Sequence, residues 1–169
     1  FEVTLFVDGV PQAELGALAK TAHALLDRAQ AAAPPASARL GDILSLRGRL
    51  WKDEFQRAKY FGAAIGLGAR ARDEYLAAYR LLEDPYPGIN AATLSLLLGD
   101  RATATSLAQQ IAAKLGAQTT PRTCWDLATA GEAALLLRQF DRAHEHYSAA
   151  YAAAPGDAER SSRRRYACP

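Results

Sequence analysis

A chain of 169 residues, half of them apolar, can bury a sizeable core as a single domain. A net charge of +2 favours neither a polyanion nor an acidic substrate, so no nucleic-acid partner is expected. Two cysteines, Cys124 and Cys168, are no disulfide framework, and no apolar run approaches the ~20 residues that span a bilayer, so the expectation is cytoplasmic with no membrane partner.

Phe1 to Val10 alternates, with Phe1, Val3, Leu5 and Val7 on one side and Glu2, Thr4 and Asp8 on the other. It reads as a strand-like arm over 1–10, or the end of a preceding domain. The chain starts at Phe1 and lacks methionine and a visible signal peptide, so it is taken as a domain of a longer protein. A helical domain is expected over 11–169.

Pro11 to Ala33 is its first helix, with Leu15, Leu18, Ala22, Leu25, Leu26 and Ala29 along one stripe and His23 read as structural; Pro34 and Pro35 end it. Ala36 to Phe55 follows. Gly48 stands where a close helix contact needs a small residue, and Trp51 where an aromatic is expected. Its partner is Arg70 to Leu82, with Ala71, Tyr75 and Ala78 at helical spacing. The stretch Gln56 to Ala69, with Gly62, Gly66 and Gly68, is expected to be a partly helical, mobile insertion. Its glycines lack the preceding strand and the Lys-Ser ending of a phosphate loop. Pro85 to Gly88 punctuates the chain, Ile89 to Leu98 is a short helix, and Asp100 caps Arg101 to Leu115. Gly116 to Thr120 is a linker, with Thr120 the expected cap of the next helix and Pro121 at its first position.

Pro121 to Arg138 and Asp141 to Ala154 then pair across a tight turn at Gln139 and Phe140. Gly131 and Ala143 allow close approach, Tyr147 fills the gap a turn further on, Ala150 follows, and Pro155 closes the unit. Asp157 is expected to cap a last helix within 156–169. Small, small, aromatic, small and proline in this order match the tetratricopeptide pattern, a helix pair of about 34 residues. The fold expected is all-α, a tetratricopeptide-like right-handed stack of about three helix pairs (near 40–84, 85–116 and 121–155) with capping helices.

Gly48-Arg49, then Trp51-Lys52-Asp53 and Phe55, resembles a motif of the TRAF-binding central domain of apoptosis-signal-regulating MAP-kinase-kinase-kinases, a domain also found in bacterial proteins. Tyr86-Pro87-Gly88-Ile89-Asn90 is similar to that family's second segment, and Tyr75, Leu76 and Tyr79 fit its intervening helix. The resemblance spans Leu40 to about Pro155. It implies a helical array that scaffolds partner binding and regulates neighbouring domains. No kinase motif accompanies it.

The chemistry to be placed is that of a binding surface. Arg49 and Asp53 share a helix face with Lys52 beside them, and Asn90 lies on the first helix of the next pair. They form either an internal network or, with Thr93, Trp125 and Glu132, a groove for a partner, in which Asn90 would hold an extended peptide backbone. Trp125 and Thr129 stand where a carboxylate clamp would need cations, which disfavours a C-terminal acidic peptide. His144 and His146 point roughly 200° apart on a helix and cannot share a metal. Cys124 has no histidine in register, no carboxylate pair sits in an apolar setting, and Arg163 to Arg165 read as a solvated face. No catalytic residue, metal or cofactor is assigned. The reading is a non-catalytic interaction and regulatory scaffold with a protein partner or fused effector domain. The alternatives are a ligand- or peptide-gated sensor and a nucleic-acid-binding helical repeat.

Overall fold

The computed structural model describes residues 12–58, 61–119 and 122–154. The expected arm over 1–10, the closing Pro155 and the cap over 156–169 lie outside them. Seven helices occur among the described residues: α1 (Gln12–Ala32), α2 (Ala38–Arg57), α3 (Phe61–Leu82), α4 (Pro85–Leu97), α5 (Arg101–Gly116), α6 (Cys124–Leu136) and α7 (Phe140–Ala153). Each packs on the next, and α4 also packs on α6. The first helices of the second and third pairs, α4 and α6, are therefore neighbours, as in a stack of hairpins.

Local chemistry sets the boundaries. Ser37, Asp84, Asp100 and Thr123 each stand just before a helix and accept a backbone N–H of its first turn. Pro85 opens α4 at a position where no helical N–H is needed. Left-handed residues turn the chain between helices: Ala36, Glu83, Gly99 and Arg138, with φ of 54°, 51°, 88° and 60°.

Three expectations need correction. The segment Gln56 to Ala69 is helical over most of its length, beyond the partial helix expected, and it is no insertion: α2 runs to Arg57 and α3 starts at Phe61, with Gly62, Gly66 and Gly68 within it. Three glycines weaken a helix, but Gly68 admits the Phe55 ring at 3.1 Å from where a Cβ would stand, so packing overrides propensity there. Helix α6 starts at Cys124, not Pro121, since Thr123 and Asp126 form a reciprocal capping box. The tight turn lies at Leu137 and Arg138, so Gln139 is already the N-cap of α7.

The core follows small-against-large packing. A Cβ on Gly48 would meet the Tyr75 ring at 2.9 Å, and one on Gly131 would meet Tyr147 at 3.1 Å. Ala71 and Ala78 flank Tyr75 on α3 and Ala143 and Ala150 flank Tyr147 on α7, all four buried. Tyr75, Ile89, Leu94, Ile111 and Leu115 fill the centre, and each such side chain contributes about 1.5–3 kcal/mol on leaving water. Helix α1 differs. Leu15, Ala22, Leu26 and Ala29 are half-buried, whereas Leu18 and Leu25, placed on the same stripe from sequence, face solvent.

Candidate partner-binding groove

Helix periodicity gives α2, α4 and α6 one stripe each. Arg49, Lys52 and Asp53 share a face of α2, Tyr86, Asn90, Thr93 and Leu97 recur along α4, and Trp125, Glu132 and Leu135 along α6. Two hydrogen bonds set these stripes side by side. Lys52 Nζ donates to Asn90 Oδ1 at 2.6 Å, joining α2 to α4. Thr93 Oγ1 donates to Glu132 Oε1 at 2.5 Å, joining α4 to α6. A polar line thus crosses the three first helices. It is flanked by exposed apolar groups: Tyr86 and Trp125 towards the N-terminal ends, Leu97 and Leu135 towards the C-terminal ends. Sequence reading did not assign Tyr86, Leu97 or Leu135 to the groove, although their spacing from Asn90, Thr93 and Glu132 carried the signal.

Asn90 is spent within the protein. It receives Lys52 and its Nδ2 donates to the Tyr86 carbonyl at 2.9 Å, so the side chain expected to grip a peptide backbone instead fixes Lys52. Lys52 also lies 5.8 Å over the Tyr75 ring. Burial pulls the Lys52 ammonium below its ordinary pKa; Glu132 and Asp53 oppose that pull and Arg49 adds to it. Burial pushes the Asp53 carboxyl up against the attraction of Arg49, Lys52 and Arg57. Burial also drives the Tyr75 phenol far upward; its hydroxyl lies by Tyr86, which meets it edge-on at 6.2 Å between ring centroids without a well-aligned hydrogen bond.

Trp51, adjacent to Lys52 in sequence, points elsewhere. Its ring lies against His23 of α1, with centroids 3.8 Å apart, and Arg70 of α3 sits 4.9 Å above it. The same seam holds His23 Nε2 and Glu54 Oε1 at 2.7 Å. Arg47 is 11% exposed and reaches Asp27 at 2.6 Å, Glu74 at 3.5 Å and Gln30. The Trp-Lys-Asp motif therefore serves two faces of α2. Arg47 was missed from sequence, yet His23, Asp27 and Gln30 at i, i+4 and i+7 on α1 were its visible counterpart.

Other chemistry is sparse. Cys124 is buried at the first position of α6. Among the described residues no group of three His, Cys, Asp or Glu side chains could hold a metal ion. No helix among them is long and apolar enough to cross a membrane. A family model described as Tetratricopeptide Repeats-Sensor matches residues 10–95, just over half of the 169-residue chain. No curated protein and no solved structure matches.

Proposed function

This chain belongs to the Tetratricopeptide Repeats-Sensor family, and we propose that it acts as a non-catalytic interaction and regulatory module that takes a protein partner, or a fused effector domain, in the α2–α4–α6 groove. The observation that carries this reading is the polar line Lys52–Asn90 and Thr93–Glu132 set between exposed Tyr86, Trp125, Leu97 and Leu135. Exposed aromatic and leucine side chains can serve as docking anchors, and polar groups already held in place beside them can orient a partner. The resemblance to the TRAF-binding central domain of apoptosis-signal-regulating kinases supports a scaffold that regulates its neighbours. Arg49, Lys52, Asp53, Asn90, Thr93, Trp125 and Glu132 are the proposed contact region, within a domain that starts near residue 11 in a cytoplasmic protein.

A ligand-gated sensor is the second reading, favoured by the family's description and by the desolvated ammonium of Lys52. The test is selection of binders from a random-peptide library, followed by affinity measurement on the parent and on the Tyr86→Ala/Trp125→Ala double variant. Groove-bound peptides lose at least about tenfold on that change, the loss of one or two aromatic anchors. Binding that the double variant leaves intact refutes the groove. A steep salt dependence with RNA or DNA as ligand would instead identify a nucleic-acid binder.

A further inference from the structure

Lys52 places an ammonium in the groove with no carboxylate in ion-pair contact, since none of the ion pairs among the described residues includes it. Among the described residues its hydrogen bond is the one to Asn90, and the Tyr75 ring lies beneath it. Asn90 cannot turn away, because its amide nitrogen is tied to the Tyr86 carbonyl. The cation is therefore held in position with donor capacity to spare. The hydroxyl of Tyr75, whose ring lies beneath the ammonium, is buried without a well-aligned hydrogen bond.

Resting on the groove reading, we propose that Lys52 anchors an acidic side chain of the docking segment, an Asp or Glu flanked by apolar residues. A charge withdrawn from water is costly until a counter-charge meets it, and a carboxylate at Nζ supplies one. The carboxylates already nearby do not fill the role. Glu132 accepts from the Thr93 hydroxyl, and the strongest attraction on Asp53 comes from Arg49. Both remain close enough to act on Lys52, so they compete with an incoming anion for it. A C-terminal carboxylate would need a second cation on α6, where Trp125 and Thr129 stand. The flanking residues are apolar because Tyr86 at 40% and Leu97 at 63% exposure border the site on α4.

The experiment is to synthesise the library-selected peptides and measure their affinity by fluorescence anisotropy. Selected sequences should share an Asp or Glu beside leucine or aromatic positions. Changing that acid to its amide, or Lys52→Met in the protein, weakens binding about thirtyfold or more, and the two changes together add little to either alone. Lys52→Arg keeps most of the affinity, and circular dichroism melts show that both variants fold. If Lys52→Met does not fold, the amide peptide alone decides. Absence of a selected acid, an amide peptide that binds as well, or full affinity in Lys52→Met overturns the anchor while leaving any Tyr86- and Trp125-dependent binding in place. A peptide that loses affinity on C-terminal amidation, and not on side-chain amidation, also overturns it. No enriched peptide at all removes the groove and the anchor together.

Discussion

The α1–α2 seam and the α3–α5 interior both hold helices together, with opposite chemistry. Inside, Tyr75, Ile89, Leu94 and Ile111 meet alanines, and close approach comes from Gly48 and Gly88. At the seam, α1 is fastened by Arg47 to Asp27 and Gln30 and by His23 to Glu54 and Trp51, while its Leu18 and Leu25 stay in solvent. Apolar burial is insensitive to ionic strength, but ion pairs near the surface are screened. One chain thus combines a salt-resistant centre with a salt-sensitive edge, so that α1 can open before the centre does.

The largest effect should come from the interior. Leu94, 1% exposed on α4, touches the α2–α6 core, and Leu94→Ala should cost about 2–5 kcal/mol through the cavity it leaves. Because the core joins several helices, the loss should appear as a lower midpoint for the whole denaturation curve. A change confined to one helix would show that the interior is not one cooperative unit.

At the seam the expected loss is smaller and local. Arg47→Met leaves the half-buried Glu74 and Gln30 without their partner, while the exposed Asp27 turns to water, costing about 1–3 kcal/mol. Amide exchange should rise in 12–32 and stay unchanged in α4, and added salt should act in the same direction on the parent. The variant should also change acid behaviour. Burial raises the Glu74 carboxyl above 4.5 and Arg47 opposes this, so removing Arg47 raises it further. The contribution of a raised carboxyl is full below its unfolded value and is lost as pH rises through the folded one. Stability of Arg47→Met should therefore fall more steeply than the parent's just above pH 4.5.

The interior was far more legible in the sequence than the edge. Gly48 with Tyr75, and Gly131 with Ala143 and Tyr147, state their packing through residue size and helical period, and the helix pairs follow from them. Periodicity says which residues share a face but not which face is covered, so Leu18 and Leu25 were assigned to a stripe that the protein leaves exposed. Glycine content suggested a loose 56–69, because propensity cannot see the Phe55 and Leu98 side chains packed against Gly68. In the groove, the residue types of Lys52 and Asn90 were informative. That Asn90 is consumed in holding Lys52 depends on a contact between residues 38 apart in sequence.

The hinge of the edge gives a smaller, opposite effect. Ala36 joins α1 to α2 at φ 54°, a region that costs an L-residue roughly 1–2 kcal/mol and glycine nothing. Against this, glycine adds about 0.4–1 kcal/mol of unfolded-chain freedom. Ala36→Gly should therefore give a net gain of between about 0 and 1.6 kcal/mol. Amide exchange in α1 should slow slightly, and α4 should not respond. Faster exchange in α1 would mean that the turn is held by the seam and not strained.

The smallest effect at neutral pH belongs to the interior's own polar atom. Tyr75→Phe removes a buried hydroxyl that makes no well-aligned hydrogen bond, so neutral-pH stability should shift by no more than about 0.5 kcal/mol. Alkali should separate the variant from the parent. Burial raises the Tyr75 phenol well above 10, and raises Tyr147 to about 12. Above pH 10 the unfolded chain gives up these protons while the native protein keeps them, so parent stability declines as pH rises. Lys52 works with the opposite sign: its native pKa is depressed, so its contribution grows as pH climbs towards 10.5. The parent should therefore gain slightly on the approach to pH 10 and lose beyond it, and Tyr75→Phe should keep the gain and blunt the loss. Urea midpoints measured from pH 8 to 11 read the difference directly. Parallel curves for the two proteins would mean that the phenol reaches solvent, and that the centre of the stack is as open as its edge.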